Sequence, residues 1–530
     1  MASVTNEAID QGIAAQIQEL REEAARSFEL EVMILENHQI SITCDSRAEA
    51  QYPKEINIRA SPDSQEENEV MVAIGDILAQ DHAQLQHFRL LRLSRWDYSY
   101  PQVWRGLAAN LVLKEVTLYS VRIWHQADVT RFLANPALES LELRSCTFSR
   151  GTFESFCQGI QASQIKKLSV GVINVDNLPP RVSWSLLWLS LEHGATRLES
   201  LILSVSLEAT RSIENGFESF LTNNTTMKSL RLDMDGLSHV NLPFLVALGR
   251  GIAVNTTIKC LDLELLSYGG NLTIEERPMQ TMFAEGLDQN RTVESLKVRT
   301  FRSPESMSAL ADGLERMMRN RANASSHGGH DEEQSLPILK ELEVRCDNQN
   351  HEDSSTIGAA RDQFFDRLSR SDVIRVGKIT YHLPPGQSTL SSKVYDFIRS
   401  TRVTKSLESG PYHGASHDVE YSDLADAVEA NNSISELEVN GVHFHTTTNL
   451  SASPNTYRIR CQCRRNEIQA QTFRKDENLS LLPMALARLL PSDDTPEDDN
   501  ERQKIKARQL VDRTLAFETL KDTPALFAVR

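Results

Sequence analysis

The sequence predicts an α/β solenoid in which a short strand and a helix alternate along most of the chain. Three observations predict it. The 530 residues exceed what one compact core usually holds, a strand-like phrase recurs about every 29 residues, and helix-like stretches separate its copies. One strand and one helix cannot bury their own apolar faces, whereas stacked copies bury a continuous core. We therefore expect a curved repeat array rather than a string of separate globular domains.

The repeated phrase is LxxLxL, whose alternating apolar residues are typical of a half-buried strand. Eleven copies are found: Phe88/Leu91/Leu93, Leu113/Val116/Leu118, Leu138/Leu141/Leu143, Ile165/Leu168/Val170, Leu198/Leu201/Leu203, Met227/Leu230/Leu232, Ile258/Leu261/Leu263, Val293/Leu296/Val298, Leu339/Leu342/Val344, Val376/Ile379/Tyr381 and Ile434/Leu437/Val439. A weaker copy begins near Val403. Between copies, apolar residues recur at helical spacing over residues 153–162, 213–221, 243–254, 279–287, 307–318, 393–400 and 422–430.

An asparagine stands three residues before the first apolar residue of six copies: Asn110, Asn135, Asn224, Asn255, Asn290 and Asn431. After Gly, Asn is the residue most often found in the left-handed conformation that ends a helix. We expect these six residues to adopt it and to turn the chain from helix to strand. The same interpretation accounts for the glycosylation sequons at Asn224, Asn255 and Asn290, because no secretion signal precedes them.

The LxxLxL phrases, with the helix-like stretches between them, resemble the ribonuclease-inhibitor-like class of leucine-rich repeats over residues 50–445. The chain is also similar to the expanded repeat proteins of single-celled algae, in which a capping segment like residues 464–466 and 478–490 follows the array. The places where the family usually has Asn or Cys hold Cys146, Val121, Ile173, Asp235 and Val442, so the match is loose there. The resemblance implies a horseshoe with parallel strands on the concave face, helices on the convex face, and a role in protein recognition.

Three regions are predicted. Residues 1–50 form an N-terminal helical cap, in which Ile9, Ile13, Ile17 and Leu20 lie on one face of an acidic helical stretch over 9–35. Residues 51–445 form the leucine-rich-repeat array, with a flexible insertion near 319–335. Residues 446–530 form a C-terminal helical cap with an acidic linker at 491–500. The N-terminal stripe is too short to favour a coiled-coil partner helix.

Charge narrows the class of partner. The formal net charge is -17, which disfavours nucleic acid and anionic membranes because both attract basic surfaces. We expect an unknown protein partner and leave the oligomeric state open. Seven scattered cysteines indicate reduced thiols. Without a secretion signal or a long apolar span, we expect a cytoplasmic protein, with the nucleus left open.

No residue constellation indicates an enzyme. Phosphate-binding loops and nucleophile turns are absent from the sequence, so we expect no catalytic residue and no cofactor. The best metal candidates are His443, His445, Cys461 and Cys463. Each pair has one intervening residue, where structural zinc sites usually have two or more, so we expect no metal site.

The predicted concave face carries the variable positions of each phrase. Fourteen basic residues, Arg92 among them, stand there against twelve acidic ones, so this face is nearly neutral on an acidic chain. This pattern fits a partner of complementary charge pattern that binds there, and it equally fits Lys and Glu residues that fill exposed strand positions for solubility. The candidate contact residues are Arg144, Lys228, Arg231, Asp233, Asp262, Glu264, Lys297, Arg299, Glu343 and Arg345.

A protein-interaction scaffold is the function that these features favour. The alternative is a regulatory adaptor, such as a GTPase-activating protein or a ubiquitin-ligase substrate adaptor. An activator needs an Arg positioned for transition-state charge, and an adaptor needs a ligase-docking module. The sequence identifies neither feature.

Overall fold

The computed structural model describes residues 14–27, 29–34, 39–45, 54–59, 65–80, 85–92, 100–194, 197–204, 214–233, 242–264, 276–299, 304–326, 338–345, 354–383, 391–411, 421–439, 442–443 and 454–472. Contacts between Cα atoms divide the chain into two compact units. The first unit comprises residues 1–269 and 285–292, and the second comprises residues 270–284 and 293–530.

The first unit alternates strands and helices. Its strands are β1 (Glu29–Ile34), β2 (Gln39–Asp45), β3 (Lys54–Arg59), β4 (His87–Arg92), β5 (Glu115–Tyr119), β6 (Arg122–Ile123), β7 (Ser140–Arg144), β8 (Thr147–Phe148), β9 (Lys167–Val170), β10 (Asn174–Val175), β11 (Ser200–Ser204), β12 (Ser229–Asp233) and β13 (Cys260–Glu264). Its helices are α1 (14–24), α2 (Gln65–Ala79), α3 (Pro101–Ala109), α4 (Gln126–Leu133), α5 (Arg150–Ala162), α6 (Pro180–Gly194), α7 (Glu214–Asn223) and α8 (Leu242–Val254), followed by a 3-10 turn at Leu287–Gln289.

The second unit continues the same alternation. Its helices are α9 (Glu276–Ala284), α10 (Pro304–Ser326), α11 (Ser354–Arg370), α12 (Ser392–Ser400), α13 (Ser422–Glu429) and α14 (Pro454–Thr472). Its strands are β14 (Ser295–Arg299), β15 (Leu339–Arg345), β16 (Val376–Leu383), β17 (Ser406–Pro411), β18 (Glu436–Val439) and β19 (Val442–His443).

Each unit has a mostly parallel main sheet. In the first unit the strand order is β3-β2-β1-β4-β5-β7-β9-β11-β12-β13, and the pairs from β1–β4 to β12–β13 are parallel. In the second unit β14 to β18 are parallel in chain order, and β19 closes antiparallel on β18. The expected α/β repeat of strands and helices, a solenoid-like fold, is therefore confirmed.

Strand register stacks the apolar residues of successive copies. Leu201 pairs with Leu230, and Leu230 pairs with Leu261, on three neighbouring strands. All three are completely buried. Aromatic side chains extend this core between helices, since the Trp188 ring lies 4.9 Å from that of Phe217 on the next helix.

The first copy of the phrase was predicted three residues too late. Phe88 pairs with Val116 and Leu90 with Leu118, so the buried copy is Leu85/Phe88/Leu90. Leu91 lies on the other side of the strand, half-exposed, and Leu93 lies outside the described residues. The run from Phe88 to Leu93 places apolar residues in both alternating frames, which explains the error.

The stretch predicted to be helical over residues 9–35 is helical only in part. Helix α1 ends at residue 24, and residues 29–34 form β1, whose Val32 pairs in parallel with Leu90. Buried Leu30, Val32 and Ile34 alternate along this strand, so a strand with one buried face lies within the predicted cap. Ile9 and Ile13 lie outside the described residues.

The predicted insertion and C-terminal cap are only partly described. Helix α10 runs to Ser326, so residues 319–326 are helical rather than a loop. Arg321 holds this part of the helix, because its buried guanidinium donates to the Val293 carbonyl at 2.8 Å. Helix α14 lies in the predicted C-terminal cap. Residues 327–335 and the linker at 491–500 are outside the described residues.

Left-handed residues occur in the first unit, but at other positions than predicted. Asn110 and Asn290 have φ of -78° and -66°, which are ordinary values. Positive φ occurs instead at Ser120 and Ser145, at 54° and 52°, directly after β5 and β7. These turns lead into β6 and β8, which with β10 form a small second sheet that the sequence did not predict.

The asparagines act through buried side chains, and we call them the asparagine ladder: Asn110, Asn135, Asn224, Asn255, Asn290, Asn431 and Asn466. Asn255 shows the pattern. Its Oδ1 accepts from the backbone amides of Thr257 and Ile258 at 2.9 and 2.8 Å. Its Nδ2 donates to the carbonyls of Leu221 and Asn224 in the preceding turn, at 2.7 and 3.0 Å.

The ladder recurs in both units. Asn290 donates to the carbonyls of Ile252 and Asn255 at 2.7 and 3.2 Å. In the second unit Asn466, on helix α14, donates to the carbonyls of Asn431 and Ile434 at 3.2 and 2.7 Å. Each carboxamide thus closes its own turn, joins its turn to the previous one, or does both. Asn466 extends these bonds into the C-terminal helix.

We expect Asn255→Ala to lower the free energy of unfolding by about 2–4 kcal/mol, because buried amides and carbonyls lose their partners. Asn223→Ala is the matched control. Asn223 is exposed and bonds only to surface groups of Glu192 and Ser219, so its loss is expected to cost less than about 1 kcal/mol. Urea denaturation followed by circular dichroism measures both, and equal effects of the two variants would contradict the structural role of the ladder.

Candidate protein interaction surface

The strands present two different faces. In β7, Leu141 and Leu143 are buried and lie against Trp104, Phe132 and Phe156 of the helices. Residues that alternate with the buried ones, such as Ser140 and Glu142, are partly exposed on the other face. We call the set of these alternating side chains the open strand face. It is the surface on which a folded partner can contact several strands at once.

Nine of the ten predicted contact residues lie on strands of this face. They are Arg144 on β7, Arg231 and Asp233 on β12, Asp262 and Glu264 on β13, Lys297 and Arg299 on β14, and Glu343 and Arg345 on β15. Lys228 stands one residue before β12 and bonds to Glu199 at 3.0 Å. The structure therefore brings the candidates on β12 and β13 together in the first unit and those on β14 and β15 together in the second, whereas Arg144 on β7 lies three strands away from β12.

Arg231 is the centre of the charged group in the first unit. Its guanidinium lies 3.0 Å from Glu264 and 3.7 Å from Asp262 on the neighbouring strand. The register pairs Arg231 directly with Asp262. The two carboxylates are only 12–15% exposed, compared with 33% for Arg231, so the cation is the most accessible member of the group.

Glu343 is the centre of the corresponding group in the second unit. Its carboxylate lies 3.0 Å from Lys297, 3.2 Å from Arg345 and 3.5 Å from His382. The hydrogen bond from His382 is the main cause that holds the pKa of Glu343 well below its usual range. The hydrogen bond from Lys297 and the positive charges of Lys297 and Arg345 act in the same direction, whereas burial acts in the opposite one. Glu343 is therefore ionised at neutral pH.

The remaining candidates have simpler surroundings. Arg144 lies 2.5 Å from Glu142 on its own strand, and Asp233 accepts a hydrogen bond from the Ser204 hydroxyl at 3.5 Å. The register places Arg299 beside Arg345, so two cations lie next to each other at the ends of β14 and β15.

Two residues at this surface differ from what the sequence predicts. His382 was not among the predicted residues, although it alternates with the buried Tyr381 and could have been found by extending that phrase by one residue. Arg92 was wrongly placed on the exposed face. It is completely buried and bonds to Glu67 at 2.9 Å, because the corrected register moves it past the end of the phrase.

The described residues among the metal candidates do not form a cluster with enough ligands for a metal ion. Cys461 and Cys463 lie in helix α14, His443 ends β19, and His445 is outside the described residues. Burial raises the pKa of the Cys463 thiol to about 12, which keeps it protonated and a poor ligand. Among the described residues, no group of three or more His, Cys, Asp or Glu side chains is arranged to hold a metal ion.

Comparisons with known proteins give no family. No model of a known protein family matches the chain, and no curated protein matches it in sequence. Within the described part of the chain, no helix combines the length and apolar character needed to cross a bilayer.

We expect Glu343→Gln to destabilise the second unit by about 2 kcal/mol at pH 7, because a charged hydrogen-bond acceptor is lost. The folded-state pKa of Glu343 is lowered from 4.5. Its contribution is therefore fully present above that pH and is lost as the pH falls below it. Urea titrations from pH 7 to pH 3 should show the difference between wild type and variant shrinking below about pH 4.5.

The control is Glu436→Gln, which neutralises an exposed carboxylate on β18 of the same unit. Its effect is expected to stay within about 0.5 kcal/mol. A Glu343→Gln effect that is independent of pH would show that the ion pairs of Glu343 do not contribute to stability.

Proposed function

We propose that the chain is a protein-binding scaffold of the leucine-rich-repeat type, similar to the ribonuclease-inhibitor-like class, and that the open strand face is its binding surface. The single observation that carries the proposal is the charged open strand face, centred on Arg231 in one unit and on Glu343 in the other. In this proposal the sheet forms the concave side of a horseshoe, and a cytoplasmic protein contacts several repeats at once.

The charge pattern supports a protein partner with alternating charges. Most cations of the open strand face already pair with a carboxylate on the same or the next strand. A partner must therefore exchange these pairs for its own. Such an exchange contributes modest affinity but strong selectivity, because a wrong partner leaves charges buried and unpaired.

A capture experiment with matched variants tests the proposal. The immobilised full chain, the strand-face variant Arg231→Gln/Asp262→Asn and the helix variant Arg150→Gln/Glu154→Gln are each exposed to native lysate. The strand-face variant removes the ion pairs of Arg231 with Asp262 and Glu264. The helix variant removes the Arg150–Glu154 pair, which at 3.0 Å lies on helix α5. Bound proteins are identified by mass spectrometry, and their affinity is measured with purified components.

We expect a partner to bind the wild type and the helix variant equally, and the strand-face variant at least about tenfold more weakly, as for a central interface residue. Circular dichroism must show that both variants are folded. A partner that retains its affinity for the strand-face variant and loses it for the helix variant would assign binding to the helices and overturn the proposal.

A further inference from the structure

The second unit contains a cavity of about 290 Å³ between the turn before β16 and the turn before β17. Leu368, Ile374 and Phe397 supply apolar walls, while Thr401 and Arg375 are among its polar lining residues. Ile374 is half-exposed although it is a large apolar residue. The cavity is therefore open to a small ligand or a side chain.

The cavity lies where the asparagine ladder is interrupted. Leu407 pairs with Leu437, which places Thr401 at the position that Asn431 occupies in the next turn. The Thr401 hydroxyl accepts from the amide of Thr404 at 3.3 Å, as Asn431 accepts from the amide of Ile434 at 2.8 Å. Thr401 has no carboxamide. Its hydroxyl donates to the Thr404 hydroxyl at 3.0 Å, and that hydroxyl donates to the Val376 carbonyl at 2.9 Å, whereas an asparagine donates to the preceding turn directly.

The next turn shows which carbonyls a carboxamide at this position reaches. Asn431 donates to the carbonyls of Ile398 and Thr401, 33 and 30 residues earlier, at 2.7 and 2.8 Å. Counted from the end of the preceding helix, the equivalent residues are Leu368 and Ser371, because Ser371 directly follows α11 as Thr401 directly follows α12. Both residues line the cavity. They lie at the end of helix α11, where the last carbonyls have no partner within the helix.

The turn before β16 is also longer than its neighbour. Lys378 stands seven positions after Ser371, whereas its partner on the next strand, Ser406, stands five positions after Thr401. The two additional residues widen the space that the short threonine side chain leaves. Length and side-chain size together therefore account for the cavity.

We propose that this cavity binds a primary carboxamide on a short apolar stem, either a small amide or the Gln or Asn side chain of a peptide. The amide nitrogen donates to the carbonyls of Leu368 and Ser371, and the stem lies against Ile374 and Phe397. A carboxylate has no N–H group to donate to these carbonyls, and the carboxyl ends of two helices carry partial negative charge there, although Arg375 and Arg402 line the cavity together with Asp372. This site is independent of the open strand face.

Three probes with the same four-carbon stem test the proposal on the full chain: pentanamide, its isosteric ketone 2-hexanone, and pentanoate. Titration followed by saturation-transfer difference NMR gives each affinity. We expect pentanamide to bind about tenfold more tightly than 2-hexanone or pentanoate, the effect of one or two additional hydrogen bonds. Equal or tighter binding of either other probe, or no binding of pentanamide, would overturn the proposal.

Two variants locate the site. Thr401→Asn supplies the missing carboxamide from within the chain, so it should abolish pentanamide binding and raise the melting temperature. Thr130→Asn, the same substitution at an exposed position of helix α4, should leave pentanamide binding intact. Persistent binding to Thr401→Asn, or a lowered melting temperature of that variant, would contradict the assignment.

A competition experiment with peptides distinguishes the two sources of the amide. Acetyl-Ala-Gln-Ala N-methylamide is added to the pentanamide complex, with the Glu peptide as its control. Displacement by the Gln peptide alone supports a partner's side chain as the ligand, and no displacement by either peptide supports a small amide. Displacement by the Glu peptide would contradict the donor chemistry.

Discussion

The structure depends on a buried carboxamide at the junction of helix and strand. At each junction the chain leaves helical hydrogen bonding before it enters the sheet, so several backbone groups would be buried without partners. One asparagine supplies an acceptor for the amides of its own turn and donors for the carbonyls of the turn before. The same side chain therefore closes a turn and joins it to the previous repeat.

The ladder also determines what the sheet presents. Because β12, β13 and β18 each begin five residues after their ladder asparagine, neighbouring strands start in register. That register stacks Leu230 on Leu261 in the core and places Arg231 opposite Asp262 on the other face. A shift of one residue would exchange these two faces. The ion pairs of the open strand face thus depend on the strand register, and that register is set by the asparagine hydrogen bonds in the turn before each strand.

Much of this fold could be predicted from the sequence, because LxxLxL fixes both the strand and its buried face. The phrase predicts the wrong buried face where both alternating sets of residues contain apolar side chains, as from Phe88 to Leu93. Only the pairing with β5 shows which set is buried. Strands as short as β6 carry too few residues for a periodic signal. The N-terminal strand β1 was mistaken for helix because its acidic residues continue the composition of α1.

The candidate surface could be predicted in composition but not in its interactions. Spacing indicated that Glu343 and Lys297 share a face, yet the approach of His382 from a third strand depends on tertiary pairing. The function of the asparagines was misread for a similar reason. Their spacing revealed a turn, but whether a turn uses a left-handed backbone or a buried side chain depends on the neighbouring repeat. Thr401 could be equated with Asn431 only through strand register.

The most direct test of the ladder is backbone hydrogen–deuterium exchange on the unmodified chain, resolved to the turns. The amides of Thr226, Met227, Thr257 and Ile258 lie outside strands but donate to ladder asparagines. If the buried carboxamides hold the turns, these amides exchange as slowly as those of the adjoining strands β12 and β13. Exchange as fast as that of exposed loops would show that the turns open freely and that the ladder does not hold the repeats together.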